Sequence, residues 1–277
     1  MKYSERQEGG NYDLDGYSGG LEDFDQDTLS DIRNRRNAFI KNHEYNSVAI
    51  GFITLIFPWC LLVCGLFHYN ELLPSISEYY HTDLRSVFQV GLGAIILFLI
   101  TYSNLGDKVN YKLKLGSLSI DEKWLYRIAG GSLFLVAFAP TQIGDSKIVE
   151  EFCPIEYYQL LSYYPPGLPV LPNLSMVHKG AAVIFFILIS VLILFSFPKD
   201  IGFTKSTTKY RRIIQSIGVV LIIVLISLIL RETNVIRLFP TFKQYVFFSE
   251  MIMLELFGIA WLLRIGWLKR LLRLVEK

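Results

Sequence analysis

One short run of this chain brings together a hydroxyl, a phenol, an imidazole and a guanidinium: Ser77, Tyr80, His81 and Arg85. A serine beside a histidine is the raw material of nucleophilic or general-base chemistry, and an imidazole also ligates metals. Two more titratable groups, His178 and Glu250, lie far along the chain at the edges of long apolar runs. A carboxylate in hydrocarbon costs several kcal/mol unless it is paired or neutral. Glu250 is therefore expected to face a partner, with Arg85, His81, His178 and the Ser77 hydroxyl in reach. Glu255, deeper in the same run, has Gln89 or Ser132 as expected neighbours, or carries a proton. Each residue also has a plain structural role open to it. Asp83, after Thr82, suits the N-cap of a following helix, and a lone histidine at a helix end suits the headgroup layer.

These residues need elements to position them, and the elements are apolar. Six stretches, Ser47–Phe67, Val87–Ser103, Leu125–Thr141, Met176–Phe197, Ile213–Leu230 and Tyr245–Leu263, each approach the length that crosses a ~30 Å hydrocarbon layer at 1.5 Å per residue. The 277 residues are 52% hydrophobic and 14% aromatic, more than a soluble domain of this size needs. The expected fold is all-α: a polytopic six-transmembrane-helix bundle. The first apolar segment follows a polar stretch and has no small-residue cleavage site behind it, so it reads as an uncleaved signal anchor.

Lysine and arginine alternate between the spans. Twenty lie before span one, between two and three, between four and five, and after six. Six lie in the other loops, and Arg127 sits just inside span three. The positive-inside bias then puts both termini in the cytoplasm. Residues 1–46 read as a cytoplasmic tail. Its first 30 are acidic, rich in glycine and tyrosine and of disordered composition, and 28–42 form a short basic helix. Residues 47–264 form the transmembrane domain, and 265–277 a basic amphipathic tail that continues span six at the interface.

Within the bundle, Gly91-x-Gly93-Ala94 and Ala129-Gly130-Gly131-Ser132 mark faces for close helix approach. Pro58 and Pro140 are expected to kink or end their helices. Span five, nearly all aliphatic, is expected to face lipid. The outer loop from about Gln142 to Ser175, with four tyrosines and a proline-rich stretch, is long enough to serve as a lid or an interfacial belt. Cys60-x3-Cys64 lacks further metal ligands, and Cys153 stands alone, so no metal site, cofactor or internal disulfide is expected.

Ser75-Ile-Ser-Glu-Tyr-Tyr-His-Thr-x-x-Arg-x-x-Phe88 resembles the Ser-Ile-Ser-x-Tyr-Tyr-x-Thr-x-x-Arg-Asp-x-Phe signature of an uncharacterised bacterial six-span membrane family. His178-x3-Ala182-x2-Phe185-Phe186 and Glu250-x6-Phe257-Gly-Ile-Ala-Trp261 resemble the same family on spans four and six. Ser86 stands where that family often has Asp. The resemblance covers 47–267 and implies no particular activity. The run Pro74-x-Ile76-Ser77-Glu78 is also similar to the damage-regulated autophagy modulator-like family, which implies a regulatory or lipid-organising role. Ser77-x3-His81 is similar to the alkaline ceramidase and adiponectin-receptor superfamily, which implies zinc-dependent lipid amide hydrolysis. That chemistry needs three histidines, two of them paired as His-x3-His, and His43, His68, His81 and His178 contain no such pair.

The first expectation is thus a multi-pass protein of the cell (inner, plasma) membrane, whose outer-leaflet pocket of Ser77, Tyr80, His81, Arg85, His178 and Glu250 binds or senses a lipid or a membrane-protein partner. A membrane-embedded lipid hydrolase using the same pocket is the second, and a small-solute transporter the third. The surrounding partner is the lipid bilayer; no nucleic-acid partner is expected.

Overall fold

The computed structural model of the chain describes residues 26–105, 112–115, 118–139, 174–200, 205–233 and 242–265. The acidic start of the tail (1–25), Pro140, Cys153, residues 142–173 of the long loop and the basic end (266–277) lie outside the described residues. The chain divides into two compact units, 1–43 and 44–277, and the second holds the helical bundle.

Six helices make up most of the described residues: α1 (Gln26–Tyr69), α2 (Arg85–Leu105), α3 (Glu122–Phe138), α4 (Leu174–Val191), α5 (Lys205–Glu232) and α6 (Tyr245–Arg264). A π turn (Leu192–Ser196) and a last helical turn (Phe197–Asp200) prolong α4. Five of these segments are long and apolar enough to cross a membrane: Val48–Tyr69, Arg85–Tyr102, Leu174–Lys199, Thr208–Glu232 and Tyr245–Arg264. The protein is therefore a helical membrane protein. Helix α3, at 17 residues, is shorter and packs between α2 and α4. Phe67, Val90, Leu97 and Met176 stand largely exposed, as residues facing lipid do. The span in α5 buries the smallest share of its residues, as its aliphatic composition leads one to expect.

The described residues are mostly helical, as expected of an all-α membrane protein. One small addition is a hairpin: strands β1 (Lys112–Leu115) and β2 (Leu118–Asp121) pair antiparallel between α2 and α3, with Lys112 opposite Asp121. Pro58 does not end α1, which runs through it. A proline is tolerated there because surrounding helices and side chains can re-satisfy the freed carbonyl. Of the small residues, Gly91 faces Phe57 and Gly130 faces Ile100, whereas Gly93 and Gly131 face open space. Backbone approaches backbone between α1 and α6. A Cβ on Gly258 would meet Leu55 Cγ at 2.8 Å and the Gly51 carbonyl at 2.9 Å.

One end of the bundle closes on a buried ion pair. Arg264 Nη2 donates to Glu122 Oε1 at 3.2 Å, and the two side chains are 6% and 10% exposed. Tyr126, one turn on from Glu122, donates to the same oxygen at 2.6 Å and accepts from Arg264 Nη1. Phe197 and Tyr102 present ring faces to the guanidinium at 4.5 and 5.1 Å, and Trp261 stacks edge-on against both rings. Removing one member of such a pair strands the other in a dry site, at about 3–5 kcal/mol. Glu122→Gln and Arg264→Met should each lower the unfolding temperature in nanodiscs, and the double variant should recover most of the loss. Additive losses would show that the pair is not coupled.

Candidate functional site

After α1 the chain turns through Asn70, whose positive φ of 53° is the left-handed conformation common just past a helix end. Its N–H reaches back to the Leu66 carbonyl at 3.1 Å. The chain then re-enters the protein as a 3₁₀ segment, Ile76–His81, all six residues of which are buried. Ser75 caps it, accepting from the Glu78 N–H at 3.2 Å.

Backbone buried this way needs partners. The N–H of Ile76 donates to Glu250 Oε2 at 2.7 Å, and the Phe247 N–H donates to the Pro74 carbonyl at 2.8 Å. The start of the segment is thereby strapped to the first turns of α6. Ser77 Oγ lies 3.5 Å from Glu250 Oε1 and 2.9 Å from His178 Nε2. The other imidazole nitrogen, Nδ1, is 2.9 Å from the carbonyl of Ala139. A carbonyl only accepts, so the ring carries its proton on Nδ1 and offers the Nε2 lone pair. The Ser77 hydroxyl therefore donates to His178.

The carbonyls at the end of α3 have no partner within their own helix. Side chains supply it: Gln89 to Ala137 at 3.4 Å, Tyr80 to Phe138 at 3.3 Å and His178 to Ala139. Arg85 donates to the Tyr80 hydroxyl at 2.8 Å and lies over the Tyr80 ring at 4.3 Å. His81 is buried edge-on to the same ring.

The six expected site residues thus form two neighbouring groups. Ser77, His178 and Glu250 make one hydrogen-bonded line; Tyr80, His81 and Arg85 make an aromatic–cation stack beside it. The expected ion pair of Glu250 with Arg85 or His178 is absent among the described residues: the carboxylate takes the Ile76 N–H, and its other oxygen lies 3.5 Å from Ser77 Oγ, whose proton goes to His178. Among the described residues no hydrogen bond joins Glu255 to Gln89 or Ser132, and its Oε1 is buried without a partner. Asp83 is not the cap of α2. Its carboxylate goes to His68 at 2.6 Å and to the Tyr69 hydroxyl, while Thr82 Oγ1 accepts from the Leu84 N–H at 3.2 Å. Burial tends to raise the Asp83 carboxyl, but the bonds from Tyr69 and His68 outweigh it and hold the group below the usual carboxylate range. Sequence reasoning missed the second cluster, Glu122, Tyr126 and Arg264, although Glu122-x3-Tyr126 is a helical i, i+4 pair that could have marked it.

Among the described residues no three His, Cys, Asp or Glu side chains gather closely enough to hold a metal ion. Comparison with family models, curated proteins and solved structures finds no match.

Glu78, in the 3₁₀ segment, is buried, and burial pushes its carboxyl from the ordinary 4.5 up to about 7. The folded protein then holds a proton there that the unfolded chain releases, so stability falls as pH rises from about 4.5 through about 7. Glu78→Gln should flatten that part of the profile, measured by thermal unfolding at stepped pH. An unchanged slope would remove Glu78 as its source.

Proposed function

We propose that this protein crosses the cell membrane six times, keeps both termini in the cytoplasm, and binds the polar group of a lipid at the Ser77–His178–Glu250 line. The sixth crossing is α3, flanked by α2 and α4. The alternation of lysine and arginine between loops supports the orientation. The single observation that carries the binding reading is an apolar crevice opening beside Ser77 and Glu250. Phe88, Leu133, Phe185, Phe186 and Leu254, from four different helices, line it. Its volume is about 30 Å³, enough for a water or one small polar group, since a water needs roughly 10–15 Å³. A lipid hydroxyl, amide or ester carbonyl suits the polar end, with its chain parting the phenylalanines.

A lipid carrying a photoreactive chain, activated in nanodiscs, should label peptides lining this crevice. Ala182 lines it too, so Ala182→Phe, which fills the space, should reduce the labelling severalfold. Labelling confined to lipid-facing positions such as Val90, and indifferent to Ala182→Phe, would overturn the reading.

A second reading has one specific observation in its favour. Ser77 Oγ lies 2.9 Å from an imidazole nitrogen whose opposite nitrogen is fixed by a carbonyl, an arrangement of nucleophile, base and orienting group. Attack by Ser77 on a lipid ester or amide would pass its proton to His178 and then to the leaving group. A fluorophosphonate probe should label Ser77 in this case and fail with His178→Ala. Absence of labelling would leave binding without hydrolysis.

A further inference from the structure

At the opposite end of the bundle from the Ser77 cluster, a groove of about 370 Å³ lies between the end of the α4 segment and the first turns of α5. This falls within the roughly 300–1,000 Å³ range of ligand pockets. Its origin is legible in the packing. Higher up, α5 approaches so closely that a Cβ on Gly218 would meet Leu194 Cγ at 2.7 Å and Ile193 Cγ2 at 3.2 Å. That contact falls within the π turn, which inserts one residue and rotates the following turn by about 100°. The Phe197 N–H there reaches the Leu192 carbonyl, the spacing of a π turn. Pro198 and Lys199 come round to face α5, and Arg211 Nε donates to the Pro198 carbonyl at 2.6 Å. The groove lies between the two segments on the basic side of Gly218, beside the Arg211–Pro198 bond that joins them.

The lining carries three cations, Lys199, Arg211 and Arg212, with Thr208 and Gln215 as further polar groups. No carboxylate is among its described lining residues. Leu194 and Phe195 supply an apolar wall, and Phe195 is 46% exposed. Both segments change here from apolar span to basic end, the level at which lipid headgroups lie.

We propose that this groove is a binding site for the headgroup of an anionic phospholipid. The phosphate sits among Lys199, Arg211 and Arg212, where a guanidinium offers paired donors matched to phosphate oxygens. The glycerol and acyl chains run along Leu194 and Phe195 into the bilayer. The apolar wall is what selects a lipid over a soluble anion, because a free phosphate or an acidic peptide would leave it unused.

The test uses the full chain, purified in detergent and offered equal amounts of phosphatidylglycerol and phosphatidylcholine, with bound lipid read by native mass spectrometry. Wild type should retain phosphatidylglycerol preferentially. Lys199→Gln with Arg212→Gln, both exposed and leaving the Arg211–Pro198 bond intact, should reduce that preference about tenfold or more. Lys123→Gln with Arg127→Gln removes two charges from the basic end of α3, outside the groove, and should leave the preference unchanged. Equal loss in this second pair would mean diffuse attraction to the basic end and would overturn the site. Thermal stabilisation by glycerol 3-phosphate equal to that by phosphatidylglycerol would identify a soluble-anion site and overturn the lipid assignment. Unchanged preference in Lys199→Gln/Arg212→Gln would also overturn it.

Discussion

The contact on which the Ser77 end of the bundle depends is the one between the Glu250 carboxylate and the backbone N–H of Ile76. Non-helical chain at membrane depth is viable only where its polar groups find partners inside the protein. Here a segment of irregular backbone is pushed into the head of the bundle, and one acidic side chain from α6 receives its first N–H. Once that end is anchored, the register of the residues after it is set. Ser77 then meets His178, Tyr80 meets the end of α3, and the carbonyls that α3 leaves open at its terminus are closed by imidazole, phenol and carboxamide. A polar motif that looks like a ready-made catalytic group is thus also the means by which three helices and a loop satisfy one another. The two roles are compatible. A histidine whose tautomer is fixed by structure is also one whose lone pair is aimed.

Helices α3 and α6 are tied at both ends. At one end Glu122 and Tyr126 meet Arg264 within a ring of aromatic side chains. At the other, the capped terminus of α3 and the strapped first turns of α6 share the Ser77–His178 bond. The two helices run in opposite directions, so each polar cluster joins the beginning of one to the end of the other. The stretches of helix between these clusters are mostly apolar, and apolar side chains have little directional preference. The terminal clusters, being directional, define the register that apolar packing alone would leave loose.

Much of the helical layout was legible from hydropathy, because a lipid-facing helix must be apolar over its full length. Five of the apolar stretches correspond to helices long enough to cross, and α3 is the short one because it stops at Phe138, two residues before Pro140 in the sequence. Residue types pointed to Ser77, His178 and Glu250, since polar groups in apolar runs are costly enough to have a reason. Their partners were not legible. Glu250 and His178 both bond to main-chain atoms, which no side-chain pattern displays, and Arg85 prefers the face of its near neighbour Tyr80 to a distant carboxylate. Tyr102 and Trp261 were hidden inside apolar spans, where an aromatic residue reads as lipid contact until its neighbours are known. The hairpin was missed although Lys112-Leu-Lys-Leu and Leu118-Ser-Ile-Asp alternate with a period of two around Gly-Ser, a pattern overshadowed by the count of positive charges.

The pairing of Glu122 with Arg264 also has a consequence for biogenesis. The two residues are 142 positions apart, and the second belongs to α6. During synthesis α3 leaves the ribosome carrying an acid whose counter-charge does not yet exist, and three further segments follow before it arrives. Until then the nascent bundle keeps Glu122 at a watery boundary or in the shelter of the insertion machinery, so the Glu122 end of α3 settles late. A chain cut short before Arg264 carries a permanent mark of incompleteness, an unmatched buried acid, of the kind membrane quality control acts on. Helix α6 therefore serves as the piece that completes this pair as well as one of the walls of the bundle.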